Sequence, residues 1–215
     1  MGIIKGGPNG EVTGRIGNTV YYILNGQNIV RKIGVHVDNP SPAQLRNRLI
    51  TRLTSLCLNK FMAMINVGFN IEYLNTNIQP FNLAVKLNKS KIVKGTYPDF
   101  QIDYSKIVLS QGILDPGADL QVVVLENVMT FSWTGDPNMT WESSTDQVMM
   151  IAYFPEEERT IVKIDGNKRN EWSDQLIIPP SLVGKYAETY IAFVAADRKQ
   201  VSDSTYLGSI NGANL

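Results

Sequence analysis

Residues 189–208, TYIAFVAADRKQVSDSTYLG, decide how the rest of the chain is read. Tyr190-Ile191-Ala192-Phe193-Val194-Ala195 reads as a strand, whose period of two sends alternate side chains into one core. Asp197-Arg198-Lys199-Gln200 makes a polar turn, and residues 201–210, dotted with Ser and Thr, read as the returning strand. A two-stranded hairpin is marginal in water. Strands upstream must therefore supply the facing sheet.

They are present in the pattern. Strands are expected at 100–110, 120–125, 128–133, 147–154, 160–164 and 172–178, broken by Asp115-Pro116-Gly117, Glu126-Asn127 and Asp165-Gly166-Asn167. Short runs spaced this way, with turn residues between them, are the signature of a β-sandwich.

Further outward, the N-terminal part changes character. Asn25-Gly26 sits between two β-rich runs, 17–24 and 27–33, and predicts a hairpin with a type I′ turn. The glycines at 2, 6, 7, 10, 14 and 17 predict an irregular or extended arm, and they lack the Lys-Ser/Thr ending of a phosphate-binding loop. Ser41, Pro42 and Gln44 then fit N-cap, N1 and N3 of a helix over about 42–66. Leu45, Leu49, Leu53 and Leu56 would form its apolar stripe, with Cys57 on the same side and Arg46, Arg48, Arg52 and Lys60 on the polar side. Residues 68–100, polar and rich in Asn, read as a linker or edge segment with room for a short helix or strand. The expected fold is mainly β. An N-terminal β-hairpin and one long amphipathic helix (within 1–99) precede an immunoglobulin- or fibronectin-III-like antiparallel sandwich (100–215).

Two resemblances rest on quoted residues. Asn127-Val128-Met129-Thr130-Phe131-Ser132-Trp133 resembles the second strand of fibronectin type III domains with its core tryptophan. Leu182-Val183-Gly184 and Tyr190-Ile191-Ala192-Phe193 are similar to the leucine and tyrosine around the sixth strand. Separately, Gly14-Arg15-Ile16-Gly17-Asn18-Thr19-Val20-Tyr21-Tyr22, Ser41-Pro42-Ala43-Gln44-Leu45-Arg46-Asn47-Arg48 and Val201-Ser202-Asp203-Ser204-Thr205-Tyr206-Leu207-Gly208 resemble an uncharacterised bacterial family of unknown function. That likeness implies a two-part design and brings no catalytic residues.

Composition narrows the function classes. The 215 residues are 43% hydrophobic, with no run of about 18 apolar residues to insert in a membrane. The start lacks the apolar segment of a secretory signal, and Gly6 stands where myristoylation wants Ser or Thr. Met1 is read as uncleaved, with synthesis in the cytoplasm and release, if any, as part of a particle or filament. One cysteine, Cys57, leaves no internal disulfide and no Cys-rich zinc site. Lys plus Arg number 12 against 4 acids over 1–99, a net of +8; over 100–215 they number 8 against 16, a net of −8. Matched opposite halves favour subunits packing basic end to acidic end. The basic helix lacks the interleaved aromatics of a single-strand binder, so nucleic acid is not an expected partner.

The catalytic inventory is thin. His36 is the only histidine, and a triad would need it beside a nucleophile. Glu126, Glu142, Glu171 and Glu188 are scattered, and Glu156-Glu157-Glu158 reads as a solvated turn. No cofactor or metal is expected. The chain is therefore expected to be a non-enzymatic structural subunit of a virion, tail, fibre or filament, its partners being copies of itself or other subunits. Assembly is assigned to Gly14, Gly17, Tyr21, Tyr22, Arg31, Arg46, Arg48 and Arg52. The alternative is a module binding a surface glycan, with Trp141, Trp172 and Tyr206 as the stacking candidates.

Overall fold

Residues 2–5, 10–34, 38–70 and 78–212 are described by the computed structural model, 2–5 by their backbone alone. The chain forms two compact units, Met1–Ser41 and Pro42–Leu215. His36 lies outside the described residues.

The first unit is an antiparallel sheet of four strands in sequence order: β1 (Gly2–Lys5), β2 (Glu11–Ile16), β3 (Thr19–Leu24) and β4 (Gln27–Lys32). Asn25 and Gly26 join β3 to β4 with φ of 51° and 77°, the paired positive values that a type I′ turn needs. Gly17, at φ 56°, opens the turn from β2 to β3. Its neighbour Ile16 pairs with Thr19. Where the glycine-rich start is described, at Gly2–Lys5 and Glu11–Ile16, it takes the extended of the two expected forms. Glycines supply the positive φ at the turn, and also within β2, where Gly14 sits at 108°.

The second unit holds the sandwich. Its seven strands are β7 (Ala118–Leu125), β8 (Val128–Thr134), β9 (Gln147–Phe154), β10 (Arg159–Lys163), β11 (Ser173–Ile177), β12 (Ala187–Val194) and β13 (Thr205–Ile210). One sheet runs β11-β8-β7 and the other β10-β9-β12-β13, all antiparallel. The first, second and fifth strands thus oppose the third, sixth and seventh, the immunoglobulin-like division. The fourth strand pairs with the third. Met129, Phe131 and Trp133 from one sheet meet Val148, Met150, Phe154, Ile191 and Phe193 from the other in a buried cluster.

A helical layer covers the opposite face of the larger sheet. It comprises α1 (Pro42–Leu58), a 3₁₀ turn (Asn59–Phe61), α2 (Met62–Gly68) and α3 (Pro80–Asn88), with the hairpin β5 (Val93–Thr96)–β6 (Asp99–Ile102) beside it. Cys57, Leu58, Phe61, Met64, Ile65, Leu83 and Ala84 pack on Met149, Ile151, Tyr153, Tyr190, Ala192 and Val194. So β12 is buried along its whole length, even residues and odd. The expectation of one core is corrected to two. The compact boundary falls after Ser41, because α1, α2 and α3 share a core with the larger sheet.

Three further expectations change. The helix over 42–66 is real but passes through the 3₁₀ turn, and its buried side carries Thr54, Cys57 and Leu58. Leu45 and Leu56 are 39% and 53% exposed, so the leucine stripe is not the core face. Residues 107–110 are not part of a strand, although Ile107 and Leu109 are buried. Their amides go to side chains: Val108 N–H donates to Asn88 Oδ1 at 2.8 Å, and Leu109 N–H to Ser204 Oγ at 2.8 Å. With side chains as partners, no ladder forms. The segment 68–100, read as a linker or edge segment with room for a short helix or strand, contributes α3, β5 and the start of β6.

Cys57 is 8% exposed, and burial pushes its thiol up to about 12. The thiolate is the reactive form. In native protein Cys57 should not react with a disulfide reagent such as DTNB at pH 8, and should titrate as one thiol in denaturant. Rapid native labelling would show that the helical layer opens.

Candidate functional site

The loops at one end of the sandwich carry the candidate site. Four segments converge there: 112–117 before β7, 135–146 between β8 and β9, 164–172 between β10 and β11, and 195–204 between β12 and β13. The 135–146 loop contains α4 (Trp141–Ser144), a single helical turn. Thr140 caps it, its Oγ1 accepting from Ser143 N–H at 3.3 Å, and Ser144 Oγ donates to the Trp141 carbonyl at 2.7 Å. These bonds hold Trp141 on a braced backbone while its side chain stands 76% exposed.

Beneath the loops lies a buried ion pair. Arg169 Nε sits 3.3 Å from Asp146 Oδ2, with the two side chains 4% and 5% exposed. Arg169 Nη2 donates to the Asp115 carbonyl at 2.7 Å, and its guanidinium carbon lies 3.9 Å from the Phe193 ring centroid. Arg169 Nη1 is buried with no acceptor among the described residues. The main chain is tied as well: Arg169 N–H donates to the Asp146 carbonyl at 2.7 Å, and Trp133 Nε1–H donates to the Arg169 carbonyl at 2.7 Å. Burial pushes the Asp146 carboxyl up, opposed by the charge and hydrogen bond of Arg169.

Two cavities open between the loops. One, of about 350 Å³, is bordered by Leu114, Trp141, Glu142, Ser143, Asp146 and Asp197. The other, of about 300 Å³, shares Leu114, Ser143 and Asp146 and adds Asp136, Asn138, Thr140 and Arg169. Among the described residues no group of three or more His, Cys, Asp or Glu is placed to hold a metal ion.

The structure sorts the residues picked from sequence. Trp141 and Trp172 are brought to the same loop end. Trp172, 36% exposed and at φ 61°, lies over Gly135, where an added Cβ would come within 3.2 Å of its ring. Tyr206 is elsewhere. It stands on the helix-facing side of β13, its ring 5.4 Å from that of Tyr190, and its hydroxyl donates to the buried Glu188, which also accepts from Tyr186. Burial, and then Glu188, hold the Tyr206 hydroxyl well above its ordinary range. The fibronectin resemblance sets Leu182 and Tyr190 around the sixth strand. Leu182 joins the inter-sheet core while Tyr190 faces the helices, its hydroxyl donating to the Tyr104 carbonyl at 2.8 Å. Gly14, Gly17, Tyr21, Tyr22 and Arg31 lie in the first unit, and Arg46, Arg48 and Arg52 on the exposed part of α1.

Sequence reasoning missed Arg169 and Asp146, and met Glu188 only as one of several scattered carboxylates. Lys168-Arg169-Asn170-Glu171 looks like any polar turn, and nothing in it announces a partner 23 residues away. The Val201-Ser202-Asp203-Ser204 motif proves to be a staple. Ser204 Oγ accepts from the Leu109 and Ser110 amides, and Asp203 Oδ1 from Gly112 N–H. Ser202 Oγ accepts from Phe193 N–H. At Gly112 an added Cβ would fall 2.0 Å from the Val201 carbonyl oxygen, so only glycine allows that approach.

Fold and loop end together define a class: an immunoglobulin-like sandwich backed by helices, with a braced loop cluster at one end. The chain belongs to a family of unknown function, DUF6266, which matches residues 10–208. No curated protein matches it.

Proposed function

We propose that this protein is a non-enzymatic structural subunit that joins copies of itself through the Met1–Ser41 unit. One observation carries the reading. None of the side chains described at 10–34 is buried, although the sheet holds Val12, Ile16, Val20, Tyr21, Tyr22, Ile23, Leu24, Ile29 and Val30. The alternation places Ile16, Tyr21, Ile23 and Val30 on one face and Val20, Tyr22, Leu24 and Ile29 on the other. Apolar surface on both faces gains free energy from being covered. The outer edges of β1 and β4 pair with no strand of the described chain, which leaves backbone groups for strand addition. The occupant is the equivalent sheet of a second copy.

The rest of the chain does not need this unit for its core. Both hydrophobic clusters draw on residues from Cys57 onward. Deletion of residues 1–41 should therefore convert an oligomer into a monomer, read by light scattering after size exclusion and by negative-stain images. The thermal transition of the remaining body should stay where it was. Oligomers that survive the deletion, or a full-length protein that is monomeric at every concentration, would overturn the proposal.

A further inference from the structure

We propose that the loop end of the sandwich is a saccharide-binding site, with one sugar ring in the cavity beside Arg169 and the next stacked on Trp141. This site is separate from the assembly unit, and its occupation does not depend on self-association.

The argument begins with Trp141. It is the most exposed of the three tryptophans, at 76% against 36% for Trp172 and 2% for Trp133, yet its backbone is among the better braced of the loop. An indole face held out on fixed backbone costs little further ordering when a flat partner covers it. The cavity at its foot, about 350 Å³, and the adjoining one, about 300 Å³, sit at the lower end of the range for small-molecule sites. Because the two share Leu114, Ser143 and Asp146, a ligand of two or three rings can run from one to the other.

The lining chemistry selects the ligand class. Asp136 and Asp146 offer acceptors, Thr140 and Ser143 hydroxyls that both give and accept, and Asn138 an amide that does the same. Arg169, part of the same wall, has a buried Nη1 that lacks an acceptor among the described residues. A phosphate or carboxylate would meet Asp136, Asp146, Glu142 and Asp197 across the two cavities, with the one guanidinium already engaged by Asp146. An ammonium group would suit the carboxylates and leave Arg169 unsatisfied. A hydroxyl donates to a carboxylate and accepts from an arginine at once. Neighbouring hydroxyls on a pyranose meet both demands, and its C–H face matches Leu114 and the Trp141 ring. The ligand is therefore an uncharged oligosaccharide.

The test uses the full-length protein on a glycan array of uncharged and acidic oligosaccharides. Calorimetry follows, with cellohexaose, xylohexaose, chitohexaose and mannohexaose as soluble probes. Binding to uncharged glycans is expected, and Trp141→Ala should weaken it by about tenfold or more, the loss typical of a central aromatic anchor. Because Trp141 lies outside both buried clusters, the variant should keep the wild-type thermal transition, and Trp141→Phe should retain most of the affinity. Asn138→Ala, an exposed loop change, should weaken binding independently of any stacking. No binding of the wild-type protein to any array glycan overturns the proposal. So does wild-type affinity in Trp141→Ala, or selection of acidic over uncharged glycans.

Discussion

Arg169→Met should lower the stability of the second unit by about 3–5 kcal/mol, the usual cost of breaking a buried ion pair from one side. Wild-type Arg169 balances the Asp146 carboxylate, caps the Asp115 carbonyl and covers the Phe193 ring. Methionine can restore the contact with Phe193 and nothing else. Asp146, 4% exposed as a residue, is left as an uncompensated charge. Replacing both partners, Arg169→Met with Asp146→Leu, should recover much of the loss, since a well-filled apolar pair is often as stable as the ion pair. Chemical denaturation of the two single variants and the double variant, as a cycle, gives the coupling directly. Equal destabilisation in Arg169→Met and in the double variant would show that the packing of the arginine stem, not charge, is what matters.

The sign of the pH effect follows from the same pair. Burial raises the Asp146 carboxyl above its ordinary value even with Arg169 present, and removing the arginine takes away the opposing pull. A carboxylate whose folded pKa exceeds its unfolded value of about 3.9 destabilises the native state at neutral pH. That penalty is complete above the folded pKa and is relieved as pH falls through it toward about 3.9. The deficit of Arg169→Met relative to wild type should therefore shrink on acidification. A deficit that stays constant down to pH 4 would exclude Asp146 as its source.

Local signals in the sequence are legible where the chemistry is local. Asn25-Gly26 could form few other turns, and the strand expected at 147–154 is β9 residue for residue. What periodicity cannot supply is which side of an element finds a partner. In α1 the leucines at 45, 49, 53 and 56 make a convincing stripe, yet Thr54, Cys57 and Leu58 are the buried residues. The unbroken apolar run Val148-Met149-Met150-Ile151-Ala152-Tyr153-Phe154 was the available clue, because a strand covered on one face alternates and a strand covered on both does not. It implied a second layer, and the helices are that layer. The loop site was half legible. An exposed tryptophan in a polar loop can be guessed, but the convergence of Asp146 with Arg169 depends on how the loops close over the sheets.

Phe61→Ala puts the union of helices and sandwich to the test. If residues 42–99 were an independent module, emptying their packing would unfold that module and spare the sheets. In the structure Phe61, 1% exposed, sits edge-on to Tyr153 at 5.1 Å and to Tyr190 at 5.6 Å, on the two central strands of the larger sheet. Those tyrosines are linked onward, Tyr190 to the Tyr104 carbonyl and to the Tyr206 ring. Truncating the phenyl ring removes its burial and leaves a void that the flat sheet cannot close. The expected loss is about 3–5 kcal/mol, with edge-to-face contacts included. It should appear as one cooperative transition shifted to lower denaturant, with helical circular dichroism and tryptophan fluorescence from the sandwich moving together. Two separated transitions, with the fluorescence unmoved, would return the helices to a domain of their own. A single shifted transition makes the Pro42–Leu215 body one folding unit, built around a sheet that is buried on both faces.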